Sequence, residues 1–170
     1  MKKVIGTLLL GISLLQATPL KDVTLDNENG GYIDGKVWSS KVLEGKTTML
    51  MYVDPDERGK GEIFKSIIEG LEQDMDFNKF QIMVVLNLKA TWKPNMIIMK
   101  LLKDKAKDYP QRIYVVDKDS VLVNAWDFKD DEYNVSVIDK NKNLIYSHSG
   151  DWNELEMNNI NKVIRSEVKK

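Results

Sequence analysis

Residues 45–75 read GKTTMLMYVDPDERGKGEIFKSIIEGLEQDM, and three patterns follow one another within them. Thr47 to Val53 is short, nearly continuous in apolar side chains, and bounded by Gly45 and Pro55. That pattern predicts a buried central strand. Asp54 to Gly61 is polar and contains Pro55, the composition of a turn. From Gly59 the period lengthens, and Ile63, Phe64, Ile67, Ile68 and Leu71 fall on one face of an amphipathic helix. Gly70 costs that helix about 1 kcal/mol relative to alanine. In open α/β folds ligands and chemistry gather where a strand ends and its helix begins. Here that position carries Asp54, Pro55, Asp56, Glu57, Arg58, Gly59 and Lys60.

Downstream, Phe80 to Leu88 is a second apolar run. Two buried strands joined by a helix form a βαβ unit, parallel and right-handed. Trp92-Lys93-Pro94 opens a second helix, with Pro94 tolerated in its first turn. Its predicted buried face is Ile97, Ile98, Leu101 and Leu102, and Pro110 stops it. Ile113 to Val116 is a short strand ending at Asp117, and Val121, Leu122, Ala125 and Trp126 repeat at helical spacing. Tyr133 to Ile138 and Leu144 to His148 read as a hairpin about a polar turn at 139–143. The last helix buries Leu155, Met157, Ile160, Val163 and Ile164. Upstream, residues 26–31 signal a turn, residues 32–38 supply short strands, and a serine-capped helical turn covers 41–44. Trp38, Trp92, Trp126 and Trp152 are expected to anchor core or rim, and the scattered methionines to fill core gaps.

The chain has 170 residues and 42% apolar side chains, enough for one domain with a real core. Charged residues are 30% and well mixed, with a formal charge of −1. A nucleic-acid binder would show a basic footprint, so no nucleic-acid partner is expected. There are no cysteines, which excludes disulfides, thiol redox chemistry, a cysteine nucleophile and thiolate metal sites. Residues 1–17, MKKVIGTLLLGISLLQA, have the charged start and short apolar stretch of a secretory signal peptide. The apolar stretch is shorter than the ~20 residues of a membrane span. Cleavage near Ala17 leaves an exported chain with no stable membrane insertion.

The element order, βαβα, then a short strand and helix, then ββα, resembles the thioredoxin-like fold. Leu43-Glu44-Gly45-Lys46 resembles the lead-in to the first core strand of extracytoplasmic thioredoxin-like proteins. The stretches KVWSSKVLEGK at 36–46, YVVDKDSVLVNAWDF at 114–128 and VSVIDKNKNLIYSHSG at 135–150 are similar to the YtfJ family of periplasmic proteins. The likeness runs from about residue 22 to residue 168. It implies an α/β class, three-layer α/β/α fold with a central mixed sheet, a signal peptide at 1–17, one thioredoxin-like domain at 18–170, and a periplasmic location. It implies no reaction. Redox-active relatives place Cys-x-x-Cys after the first core strand, where this chain has Val53 to Gly61. They place a cis-proline before the hairpin strand, where this chain has Tyr133 and Asn134.

The remaining motifs are weak. Asp54, Asp56, Glu57 and Glu62 cluster, but Arg58 and Lys65 spoil a calcium-loop pattern, so no metal is expected. Asp139, Asn141 and Asn143 resemble a calcium loop, yet Leu144 and Gly150 fall at required positions and a hairpin turn explains them. His148 lacks a G-x-S-x-G partner and reads as a strand-end histidine. The expectation is a non-catalytic binding or scaffold module without a cofactor. Its candidate ligand-binding residues are Asp54, Asp56, Arg58, Lys60, Tyr133 and Asn134, and its partner is a periplasmic protein or a small ligand. The alternatives are carboxylate-based enzyme chemistry at Asp54, Asp56 or Glu57, and anion binding at Arg58 to Gly61.

Overall fold

The computed structural model describes residues 17–170, and of Arg58 the backbone alone. The predicted signal peptide therefore lies almost wholly outside the described residues.

Strand β1 (Thr18–Pro19) and strand β2 (Thr24–Leu25) are short, as are β3 (Gly30–Tyr32) and β4 (Trp38–Ser39). A 3-10 turn at Ser40–Leu43 follows, its start capped by the Ser39 hydroxyl, which accepts from the Lys41 N–H. The core begins with β5 (Thr47–Val53), every residue of which is buried. It continues through helix α1 (Lys65–Asp74), β6 (Phe80–Asn87), α2 (Asn95–Asp108), β7 (Ile113–Asp117) and α3 (Val121–Trp126). The hairpin β8 (Tyr133–Ile138) and β9 (Asn143–Ser149) precedes α4 (Glu154–Glu167). The main sheet has the order β1-β9-β8-β5-β6-β7-β3. It is mixed, since β5, β6 and β7 run parallel while β8 pairs antiparallel with β5 and β3 with β7.

Side-chain alternation along β5 divides the core. Met49, Met51 and Val53 face α1 and α4, together with Ile68, Leu71, Ile160 and Ile164. Leu50 and Tyr52 face the other way, onto α3 and the N-terminal strands, with Trp38, Leu122 and Trp126. A third cluster places Ile98 and Leu102 of α2 on Tyr114 and Val116 of β7. Two same-direction crossovers, β5-α1-β6 and β6-α2-β7, put α1 and α2 on one face. The return to β8 runs over the opposite face through α3, which completes the layers helix, sheet, helix.

Several local expectations need correction. The segment from Gly59 is not α-helical at first: Arg58–Phe64 is a 3-10 helix and α1 starts at Lys65. The tighter winding turns Ile63 outward, 42% exposed, while Phe64 is buried. Leu88 belongs to a 3-10 turn after β6, and Pro94 stands just before α2. Helix α2 buries only Ile98 and Leu102, leaving Ile97 and Leu101 about half exposed, because it covers the outer part of the sheet alone. Leu155, expected inside, is exposed at the first turn of α4, and Trp92 with Met96 stands in solvent at 86% and 81% exposure.

Candidate functional site

The loop between β5 and α1 is built around Asp54. Its side chain is buried, and its Oδ1 accepts from the Asp56 N–H at 2.8 Å, a local turn that aspartate favours. Burial pushes the Asp54 carboxyl above the ordinary carboxylate range. The Asp56 N–H opposes the shift, and the charges of Asp56, Asp131 and Glu57 add to it. Asp56 accepts from the Thr91 hydroxyl at 2.9 Å and from the Lys93 ammonium, which ties the loop to the segment ahead of α2. Lys60 pairs with Glu57 at 2.8 Å and with Glu132 at 3.3 Å, which ties it to the segment ahead of β8. The hydrogen bond from Lys60 to Glu57 holds its ammonium above the ordinary lysine range.

Tyr133 and Asn134 lie inside this edge. Tyr133 is buried, stacks on Phe64 with ring centroids 5.5 Å apart, and donates weakly to the Met51 sulfur at 3.5 Å. Gly61 passes over that ring so closely that a Cβ there would sit 3.0 Å from the Tyr133 hydroxyl oxygen. Burial raises the Tyr133 phenol well above its usual range. Asn134 is fully buried. Its Nδ2 donates to the carbonyls of Lys129 at 2.9 Å and Tyr52 at 3.3 Å, and its Oδ1 accepts from the Lys129 N–H and the Ser149 hydroxyl. No peptide bond among the described residues is cis.

Asp54, Asp56, Lys60, Tyr133 and Asn134 thus converge on one end of the sheet. Asp56 and Lys60 face outward and are ion-paired; Tyr133 and Asn134 are buried among their own chain's groups. Asp139 accepts from the N–H groups of Asn141 and Asn143, so its segment is a hairpin turn. The His148 ring lies against Trp152 and its Nε2 is 2.9 Å from the Asp151 carbonyl. Among the described residues no three carboxylates or histidines gather as metal ligands.

A neighbouring polar network escaped the reading of the sequence. Tyr52 donates to Asp117 at 3.1 Å, while Asp117 accepts from the N–H groups of Val121 and Leu122 and so caps α3. Ser120 donates to Asn87 at 3.0 Å, and Asn87 donates to Asp130 at 2.7 Å. Ser120 adopts φ 54°, a left-handed conformation uncommon for serine. Asn87 and Asp117 each end a mainly apolar strand, the one signal that marked them.

A groove of about 560 Å³ opens beside this edge, between α1 and α2. Pro55, Gly59 and Gly61 border one end, and Lys105, Tyr109 and Arg112 the other. Arg112 forms two hydrogen bonds to Glu72, at 2.6 and 3.0 Å, and its guanidinium lies 3.9 Å from the Tyr109 ring centroid.

A family described as bacterial proteins of unknown function (YtfJ_HI0045) matches residues 16–167. The chain belongs to that family. An uncharacterized YtfJ protein of Escherichia coli (strain K12) is 24% identical over 131 residues, 76% of this chain and 69% of the relative. Among solved structures, an exposed lipoprotein thioredoxin of Streptococcus pneumoniae strain TIGR4 superposes with a TM-score of 0.64 at 15% identity. It covers 86% of this chain and 99% of its own. A thiol:disulfide interchange protein described as DsbE from Chlorobium tepidum gives 0.63 at 16% identity, covering 92% and 99%. The YtfJ fold here is thioredoxin-like, and this member carries it without cysteine.

Proposed function

We propose that this YtfJ-family chain is an exported, periplasmic binding module that docks an apolar segment of another protein beside its thiol-free edge. The observation that carries the reading is the apolar group Trp92, Met96 and Ile97, exposed at 86%, 81% and 53%. Exposed apolar patches of this kind mark interaction sites, and tryptophan and methionine are enriched at interface centres. Thr91 and Lys93, which flank Trp92, both bond to Asp56, which supports placing that part of loop 54–61 at the polar rim of the patch. The ion pairs of Asp56 and Lys60 support a rigid rim and speak against an anion cradle at Arg58 to Gly61.

The test is photo-crosslinking in cells, with the reactive residue at Met96 and a control at exposed Lys162 of α4. A single dominant protein adduct from 96, absent from 162 and lost on Trp92→Ser, is the expected outcome. No adduct at 96 overturns it.

A second reading, carboxylate chemistry, rests on the buried Asp54 with its raised affinity for a proton. It predicts turnover in hydrolase screens that Asp54→Asn abolishes. Turnover unchanged by Asp54→Asn removes it.

A further inference from the structure

The wall of the groove between α1 and α2 holds a tyrosine whose hydroxyl is unsatisfied among the described residues. Tyr114 of β7 lines this groove and is 6% exposed, and its hydroxyl has no hydrogen-bond partner among the described residues. Buried polar groups nearly always have a partner, so an orphaned donor in a groove wall points to a ligand. The volume of about 560 Å³ falls within the range of roughly 300–1,000 Å³ typical of small-molecule sites. The lining between its ends is mainly apolar, with Met51, Val84 and Leu86 from the sheet, Ile68 from α1, and Ile98 and Leu102 from α2, while Glu62, Lys65 and Glu69 border it on the α1 side.

The chemistry at the Tyr114 end selects the head of the ligand. A phenol O–H donates, so the ligand must accept. Arg112 and Lys105 border this end, and the Tyr109 ring lies 3.9 Å from the first and 4.8 Å from the second. Glu72 neutralises Arg112 through its two hydrogen bonds, which leaves Lys105 as the unneutralised cation lining this end, while Glu62 and Glu69 border the groove on the α1 side together with Lys65. The hydroxyl is shielded from water, so reaching it requires side chains at the groove end to turn. Rotamer changes on that scale are common on binding, and the exposed Lys105 and Leu101 border the groove.

We propose that this groove binds a medium-chain aliphatic carboxylate, whose head accepts from the Tyr114 hydroxyl beside Lys105 and whose tail runs along the apolar lining toward Pro55. This is a site separate from the protein-docking patch, and it stands whether or not a protein partner is found.

The experiment is calorimetric titration of the purified chain with decanoate, and with decyltrimethylammonium, which has the same tail and no acceptor. Saturable binding of decanoate, at least ten-fold tighter than the ammonium compound, is expected. Tyr114→Phe removes the hydroxyl and keeps the ring; it should weaken decanoate about ten-fold and leave the melting temperature equal or higher. Glu69→Trp, at an exposed position on the α1 wall, should block the groove and abolish binding whatever Tyr114→Phe does to folding. No saturable decanoate binding, equal binding of the ammonium compound, or undiminished binding by folded Tyr114→Phe or by Glu69→Trp would each overturn the proposal.

Discussion

Two residues carry opposite lessons about the edge that ends β5. Asn134 is a buried amide whose bonds join β8 to β5, β9 and the loop before it. Asn134→Ala leaves buried backbone and hydroxyl groups without partners and should cost about 2 kcal/mol. For a chain of this length that lowers the melting temperature by roughly 4–8 °C, measurable by circular dichroism. Asp54 is the reverse case. Its folded-state pKa is raised above the unfolded value by burial, so the folded state holds its proton more tightly. Its contribution is most favourable below the unfolded value near 3.8, and is lost as pH rises through the folded value. Asp54→Asn keeps an acceptor for the Asp56 N–H and removes the charge. The variant should therefore melt higher than wild type at pH 7, with the gain shrinking toward pH 4. A gain that grows on acidification would contradict the assignment. The sequence placed Asp54 at a strand end but held no sign of its burial, nor that Glu132, far along the chain, lies alongside, its carbonyl accepting from the Asp54 N–H at 3.2 Å.

At the level of elements, α2 shows how far periodicity reaches. Its spacing predicted a helix, and a helix forms, but the predicted buried face was wider than the sheet beneath it. Ile98 and Leu102 are buried and Met99 and Ala106 pack beside them partly covered, while the surplus apolar side chains Met96 and Ile97 stand outside. Because they pack against little, Trp92→Ser with Met96→Ser should change stability by less than about 0.5 kcal/mol per site while removing partner binding. Strand β3 illustrates a constraint of the opposite kind. Gly30 sits at φ 148°, and a Cβ there would lie 2.1 Å from the Val116 carbonyl oxygen. Gly30→Ala must push β3 off β7, adding backbone strain of roughly 1–3 kcal/mol to the lost pairing. Faster amide exchange at Val115 to Asp117 would report it; unchanged exchange there would show that the strand tolerates the methyl group.

For the whole molecule, the most protected amides should lie in β5, β6 and β8. Strand β5 is paired on both sides and buried along its whole length. Strand β9 is half-buried throughout and, among the described residues, pairs on its outer side with β1 at Asn143 and Leu144, so its last residues should exchange sooner. A chain without cysteine cannot catalyse dithiol exchange, and it should leave insulin disulfides intact in a reduction assay.

The type and order of the long core strands and helices, and the absence of thiol chemistry, were determined by the sequence alone. Each is local: a two-residue or 3.6-residue period, a turn composition, a residue type that is absent. The bonds that shape the site are not local. Lys93 meets Asp56 across 37 residues, Arg112 meets Glu72 across 40, and Lys60 meets Glu132 across 72. Only the tertiary structure decided which charges of residues 54–61 are held in pairs, which apolar side chains of α2 stay outside, and that Tyr114 lines a groove while its buried hydroxyl has no hydrogen-bond partner among the described residues. Hydrogen bonds and burial depend on which segments the sheet order brings together, and no stretch of a single strand or helix encodes that.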